Sequence, residues 1–150
     1  MDPDLRIRVA RMGRVDVPLP RYQTDGAAGM DLHAALREPV TLAPLARIRV
    51  PTGLVFEIPT HFEGQVRPRS GLAARLGVTV LNAPGTIDSD FRGEVHVLLV
   101  NLSDAIVTLR PLDRIAQLVI APVVRAELVL APDLEPTARG DRGYGSTGRA

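Results

Sequence analysis

The sequence predicts an all-β fold, an antiparallel sandwich, jelly roll or barrel that carries one short helix. Three observations lead there. Apolar residues recur at period 2 over short runs, turn-forming residues are dense, with 13 Gly and 13 Pro in 150 residues, and a single run has helical character. Leu5, Ile7 and Val9 alternate with Arg6 and Arg8, and Ile48 and Val50 alternate in the same way with Arg47 and Arg49. Leu54, Phe56 and Ile58 follow as a third strand. Ser70–Leu76 is the helix, with Ser70 as its expected N-cap ahead of Leu72, Ala73, Ala74 and Arg75. Beyond it, Val78–Val80, Val95–Val97–Leu99, Ile106–Thr108, Ile115–Gln117–Val119 and Val124–Ala126–Leu128–Leu130 read as strands, most of them bounded by Pro, Gly, Asn or Asp clusters. No internal repeat is visible. Residues 1–130 form one expected domain, and residues 131–150 form a tail whose polar breakers cannot supply a core strand.

Composition removes whole classes of chemistry. A chain of this length buries about 68–70% of its unfolded surface and needs no covalent staple. Apolar residues are 45% and charged residues 23% of the total, an ordinary globular mix. There is no cysteine, so disulfides, thiolate metal sites and thiol nucleophiles are excluded. All 18 basic residues are arginine, which excludes a P-loop lysine and a lysine base or Schiff base. A net charge of +1 argues against a nucleic-acid-coating surface. The start, Met1-Asp2-Pro3-Asp4, lacks the basic and apolar regions of a leader, and no run reaches the roughly 18 apolar residues of a membrane span. The expected setting is cytoplasmic, with neither nucleic acid nor membrane as partner.

Three segments pair glycine with a charged, amide or hydroxyl group, and a fourth, without glycine, sets an amide on a strand. Ala28-Gly29-Met30-Asp31-Leu32 places a carboxylate one step into a strand, where it is either a turn residue or a functional acid. Arg67-Pro68-Arg69-Ser70-Gly71-Leu72-Ala73 brings an arginine, a hydroxyl and backbone N–H groups to a helix start, an ordinary helix beginning or an anion site. Asn82 to Glu94 is a glycine-bounded hairpin holding Asp88, Asp90 and Phe91, in which a carboxylate either caps its own turn or does chemistry. Asp113-Arg114-Ile115-Ala116-Gln117-Leu118 puts the Gln117 amide on a strand, where burial would demand a partner. The Gly143, Gly145, Gly148 spacing matches a dinucleotide fingerprint in letters only, because no helix can follow it. His33, His61 and His96 lack metal-ligand spacing.

Taken in order, A-G-x-D-L, P-R-S-G-L-A, N-x-x-G-x-I-D-S-D-F-x-G, D-R-I-A-Q and R-G-x-x-G-Y-G-S-T-G resemble the five motifs of the trimeric dUTP diphosphatases, or dUTPases. They run from Ala28 to Gly148. The resemblance implies a jelly-roll or β-clip barrel with a mobile C-terminal arm, assembled as a homotrimer with sites at subunit boundaries. It implies hydrolysis of dUTP to dUMP and pyrophosphate, with Asp88 as the base that activates water at the α-phosphorus. Arg69, Ser70 and Gly71 would hold the phosphates, and Gln117 would bond near the phosphates or the attacking water. Asp31 would reach Mg²⁺ through water, the ion being held mainly by the triphosphate. Asn82 and the backbone of Gly85, Thr86, Ile87 and Asp88 would read uracil, with His96 touching the base and Phe91 lying under the deoxyribose. Arg139 would clamp the γ-phosphate and Tyr144 would stack on the uracil, with Gly145 and Ser146 also on the substrate. Leu112 and Arg142 stand where glycine is common in the family, and Phe91 stands where tyrosine is common. A dCTP deaminase of the same fold, or a relative that binds nucleotide without hydrolysis, is the alternative reading. The deaminases are usually longer, with R-S-S at the second motif.

Overall fold

Alternation of buried and exposed side chains sets the strands, and the computed structural model, which describes residues 5–143, contains eleven of them. In chain order these are β1 (Arg8–Arg11), β2 (Met30–His33), β3 (Val40–Leu42), β4 (Arg47–Pro51), β5 (Leu54–Glu57), β6 (Phe62–Arg67), β7 (Val78–Val80), β8 (Gly85–Ile87), β9 (His96–Asn101), β10 (Val107–Leu109) and β11 (Arg114–Pro122), with α1 (Ser70–Leu76) between β6 and β7. Every pairing is antiparallel. One sheet has the order β2-β11-β6-β8 and another β4-β9-β7, and two ribbons, β1-β5 and β10-β3, complete the wall.

The inward faces meet in a core that includes Leu32, Val50, Leu54, Phe56, Ile58, Val97, Leu99, Ile115 and Leu118. Burial of such side chains stabilises the fold by about 1.5–3 kcal/mol each. Asn101 is fully buried yet satisfied, donating to the Leu42 and Ala105 carbonyls at 3.0 and 2.8 Å and accepting from the Ser103 backbone and hydroxyl. Helix α1 ends at Gly77, whose φ of 64° gives the left-handed turn that closes it on the Ala73 carbonyl. A Cβ at Gly77 would lie 2.9 Å from that of Ser103.

Several sequence expectations need correction. Ser70 is the first helical residue and not the cap. Arg69 holds the N-cap position in an extended conformation, and no side chain caps the helix. In β10 the buried residues are Val107 and Leu109 while Ile106 is exposed, the reverse of the expected face. In β11 a bulge between Arg114 and Ala116 shifts the register, so Ala116 and Leu118 face the core and Gln117 and Val119 the other side. Strands β3, β6 and β8 lay in segments whose periodicity had not marked them. The Val124–Leu130 strand does not form. Strand β11 stops at Pro122, which has no N–H to carry the ladder further, and Val124, Leu128 and Leu130 are more than nine-tenths exposed. Among the described residues no helix is long and apolar enough to cross a membrane.

Candidate active site

Strands β2 and β11 and the turn after β6 build a first cluster. Residue Gln117 lies opposite Asp31 on one side of β11 and opposite Arg67 on the other, so the register itself brings the first, second and fourth motifs together. The Asp31 carboxylate accepts from Arg69 Nε at 2.8 Å through one oxygen and from Arg114 Nη1 at 3.2 Å through the other. Arg69 also donates to the Arg114 carbonyl at 3.2 Å. The Gln117 amide donates from Nε2 to the Pro68 carbonyl at 2.8 Å, the partner that its strand position demanded. Arg114 reaches Asp31 only because of the β11 bulge, since without it residues 114 and 117 would point to opposite faces. Ser70 is exposed and Gly71 half-buried at the start of α1. Beside them, burial pushes the His33 imidazole below its ordinary pKa, against the pull of Asp31 and with the help of Arg114 and Arg69. Its Nδ1 is buried without a hydrogen-bond partner.

The second cluster is the hairpin leading out of β8. Asn82, Gly85, Thr86, Ile87, Asp88, Phe91 and His96 line one cavity of about 330 Å³. Arg92 ties the hairpin tip by donating to the Ser89 and Phe91 carbonyls at 2.7 and 2.9 Å. The exposed Phe91 ring folds over Gly93, where a Cβ would lie 2.6 Å from Cζ. Glu94 accepts from the Gly53 N–H at 2.8 Å and lies 3.7 Å from His96 Nε2, and the other ring nitrogen, Nδ1, is 3.1 Å from the Glu94 carbonyl. That carbonyl can only accept, so Nδ1 carries the proton.

Within one chain these clusters stand apart. Ile87 pairs with Gly64, so Asp88 leaves β8 at the Gly64 end of β6, whereas Asp31, Arg69 and Gln117 gather at the Arg67 end. Three strand residues, about 10 Å, separate the two levels. Arg139 joins neither cluster: it donates to the Arg142 carbonyl at 2.9 Å, and Arg142 returns a bond of the same length to the Arg139 carbonyl. Tyr144, Gly145 and Ser146 lie outside the described residues. A larger hollow of about 880 Å³, lined by Leu5, Ile7, Met30 and Ile120 together with Arg21, Gln23, Thr24 and Asp25, holds none of the candidate site residues.

Sequence reasoning missed Arg114, Pro68, Glu94 and Arg49, the last two on the wall of the hairpin cavity. Arg114 and Pro68 sit inside quoted motifs, but their roles rest on a bulge and a main-chain carbonyl, which residue type does not announce.

Comparison with known proteins places these motifs in context. The family model dUTPase matches residues 15–148. The deoxyuridine 5'-triphosphate nucleotidohydrolase of Anaeromyxobacter sp. (strain Fw109-5) is 63% identical, with 95% of this chain and 97% of that protein covered. Those of Methylocella silvestris and Ehrlichia canis are 57% and 50% identical, covering 100% and 97% of this chain and 96% of each relative. Among solved structures, a variant dUTPase of Staphylococcus bacteriophage 80alpha with dUpNHpp superposes at a TM-score of 0.82 and 23% identity, with 96% of this chain and 99% of that one covered. A variant dUTPase of phage phi11 of S. aureus, described with a structural Mg(II) ion, gives a TM-score of 0.78 at 21% identity, covering 87% and 99%. At that identity the two phage proteins speak for the fold.

Proposed function

This chain belongs to the dUTPase family, and we propose that it hydrolyses dUTP to dUMP and pyrophosphate with Asp88 from one copy and the Ser70 loop from another. The observation that carries this reading is the division of the motif residues between two clusters at opposite ends of β6. A base at the α-phosphorus and a hydroxyl at the adjoining bridging oxygen must lie within a few ångströms of each other, so the clusters have to meet across a subunit boundary. Exposed Val124, Leu128 and Leu130 support an assembly of copies. A homotrimer is the form proposed.

In such a site Asp88 takes a proton from a water molecule as its oxygen bonds to the α-phosphorus. The bond from that phosphorus to the bridging oxygen breaks, pyrophosphate departs, and the proton passes on to solvent. Arg69, Ser70 and Gly71 face the phosphates, where each charge-assisted bond contributes about 1.5–3 kcal/mol. Asp31 suits a Mg²⁺ ion reached through water: its oxygens already face cations, and no group of three metal-binding side chains converges among the described residues. Bound to the triphosphate, the ion would offset charge on the phosphate oxygens.

Uracil is read by the Gly85 to Asp88 backbone and Asn82, with His96 held beside the cavity by Glu94. Cytosine would leave buried polar groups unpaired, the thymine methyl would overlap the hairpin, and Phe91 under the sugar would disfavour a 2′-hydroxyl. The arm of residues 131–150, through Arg139 and Tyr144, would close on a neighbouring site and shed water. The proposed setting is the cytoplasm, where nucleoside triphosphates are made and used.

The test is pyrophosphate release with Mg²⁺ from dUTP, dCTP, dTTP and UTP in parallel. Release from dUTP far above the other three is expected. Equal rates on all four would overturn the selectivity, and ammonia from dCTP would mark a deaminase.

A further inference from the structure

Gly29 has nothing to do with a turn of unusual φ; what sets it apart is its neighbour. A Cβ built on it would stand 2.4 Å from Gln117 Oε1 and 3.3 Å from Gln117 Cδ. The Gln117 carboxamide oxygen therefore occupies the space that a side chain at residue 29 would need. From that seat its Nε2 reaches the Pro68 carbonyl at 2.8 Å. Pro68 comes just after the end of β6 at Arg67 and just before Arg69 and Ser70, so its carbonyl has left the strand ladder and needs another donor. Arg69 in turn bonds Asp31, two residues beyond Gly29.

We propose that Gly29 and Gln117 form a clasp, the glycine admitting the amide and the amide fixing the Pro68 carbonyl, and that this clasp positions Arg69 and Ser70 on the phosphate chain. The proposal rests on the dUTPase reading for its consequence in turnover. Gln117 is thus a positioning residue that acts through the loop, and Gly29 is the residue that makes room for it. A methyl at position 29 evicts the carboxamide, which is the far end of a flexible side chain, so the backbone stays and the hydrogen bond goes. Gly29→Ala should therefore reproduce Gln117→Ala, and the double variant should be no worse than either.

Full-length wild type, G29A, Q117A and G29A/Q117A would be compared in three measurements: kcat and KM for dUTP, inhibition by pyrophosphate and by dUMP, and the NMR signal of the Gln117 side-chain amide. A loss of about 10- to 100-fold in kcat/KM is expected in all three variants, the scale of a displaced loop, with pyrophosphate binding weakened and dUMP binding little changed. The Gln117 amide protons should be slowed in exchange in wild type and fast in G29A. Multiplying losses in the double variant, or an amide signal untouched by G29A, would overturn the clasp. If G29A alone fails to fold, a folded double variant with the Q117A phenotype supports it, and failure of both to fold refutes it. Wild type that leaves dUTP intact would sink the dUTPase reading, while the NMR comparison still decides the clasp.

Discussion

Asp31 takes one guanidinium on each oxygen, and the two contacts are unequal. The bond to Arg69 is 2.8 Å between side chains 15% and 24% exposed, whereas the bond to Arg114 is 3.2 Å and Arg114 is 55% exposed. Shielding from solvent strengthens the first and screening weakens the second, which belongs with surface pairs of about 0–1 kcal/mol. Arg69 is thus held in one orientation, as its proposed phosphate contact requires, with Arg114 as a lesser support. At the other cluster Asp88 is exposed and lines the hairpin cavity, as its proposed role of a base that meets water requires. Asp88→Asn keeps the shape but removes the acceptor charge. A fall in kcat of about 10²- to 10⁴-fold is expected, with affinity for dUTP retained in a calorimetric titration. Turnover within a factor of two of wild type would remove Asp88 from the role of base.

Elements are governed by a few residues at their ends and irregularities. The β11 bulge decides which side chains share the face of Asp31, and Gly77 decides where α1 stops. Leu112, ahead of β11, sits at φ 64°, a conformation that costs a side-chain-bearing residue about 1–2 kcal/mol. Its amide bonds the Ala34 carbonyl at 2.9 Å, so the backbone is held there whatever the side chain. Because Leu112 is 42% exposed, little burial is lost on truncation, and relief of strain exceeds the added entropy of a glycine in the unfolded chain. Leu112→Gly should raise stability by about 0.5–1 kcal/mol, a gain of roughly 1–4 °C in Tm by calorimetry. A lower Tm would mean that contacts of the leucine outweigh the strain. The expected glycine of the fourth motif is therefore a conformational preference, separate from the positioning role proposed for Gln117 five residues later.

At the scale of the molecule, the proposed roles of Asp88 and Ser70, which lie at opposite ends of β6, would make catalysis a property of the assembly. Two inactive variants, Asp88→Asn and Ser70→Ala, should complement each other when unfolded together and refolded as mixed oligomers. Random mixing gives about a quarter of sites both intact halves, so activity near a quarter of wild type is expected, against near zero for either variant alone. Absence of recovery in mixed oligomers, verified by mass, would show that one chain holds the whole site. Much of this protein was legible without coordinates. Period-2 alternation announced an all-β fold, and the order of five motifs marked Asp31, Arg69, Ser70, Asp88 and Gln117 as candidates, because local pattern and residue chemistry are carried by neighbours in the chain. The face of β10, the failed strand at 124–130, the Arg114 contact, the seat of Gln117 on Gly29 and the separation of the two clusters were decided only by tertiary structure. Each depends on register and pairing between segments far apart in sequence, where a one-residue shift reverses every side chain.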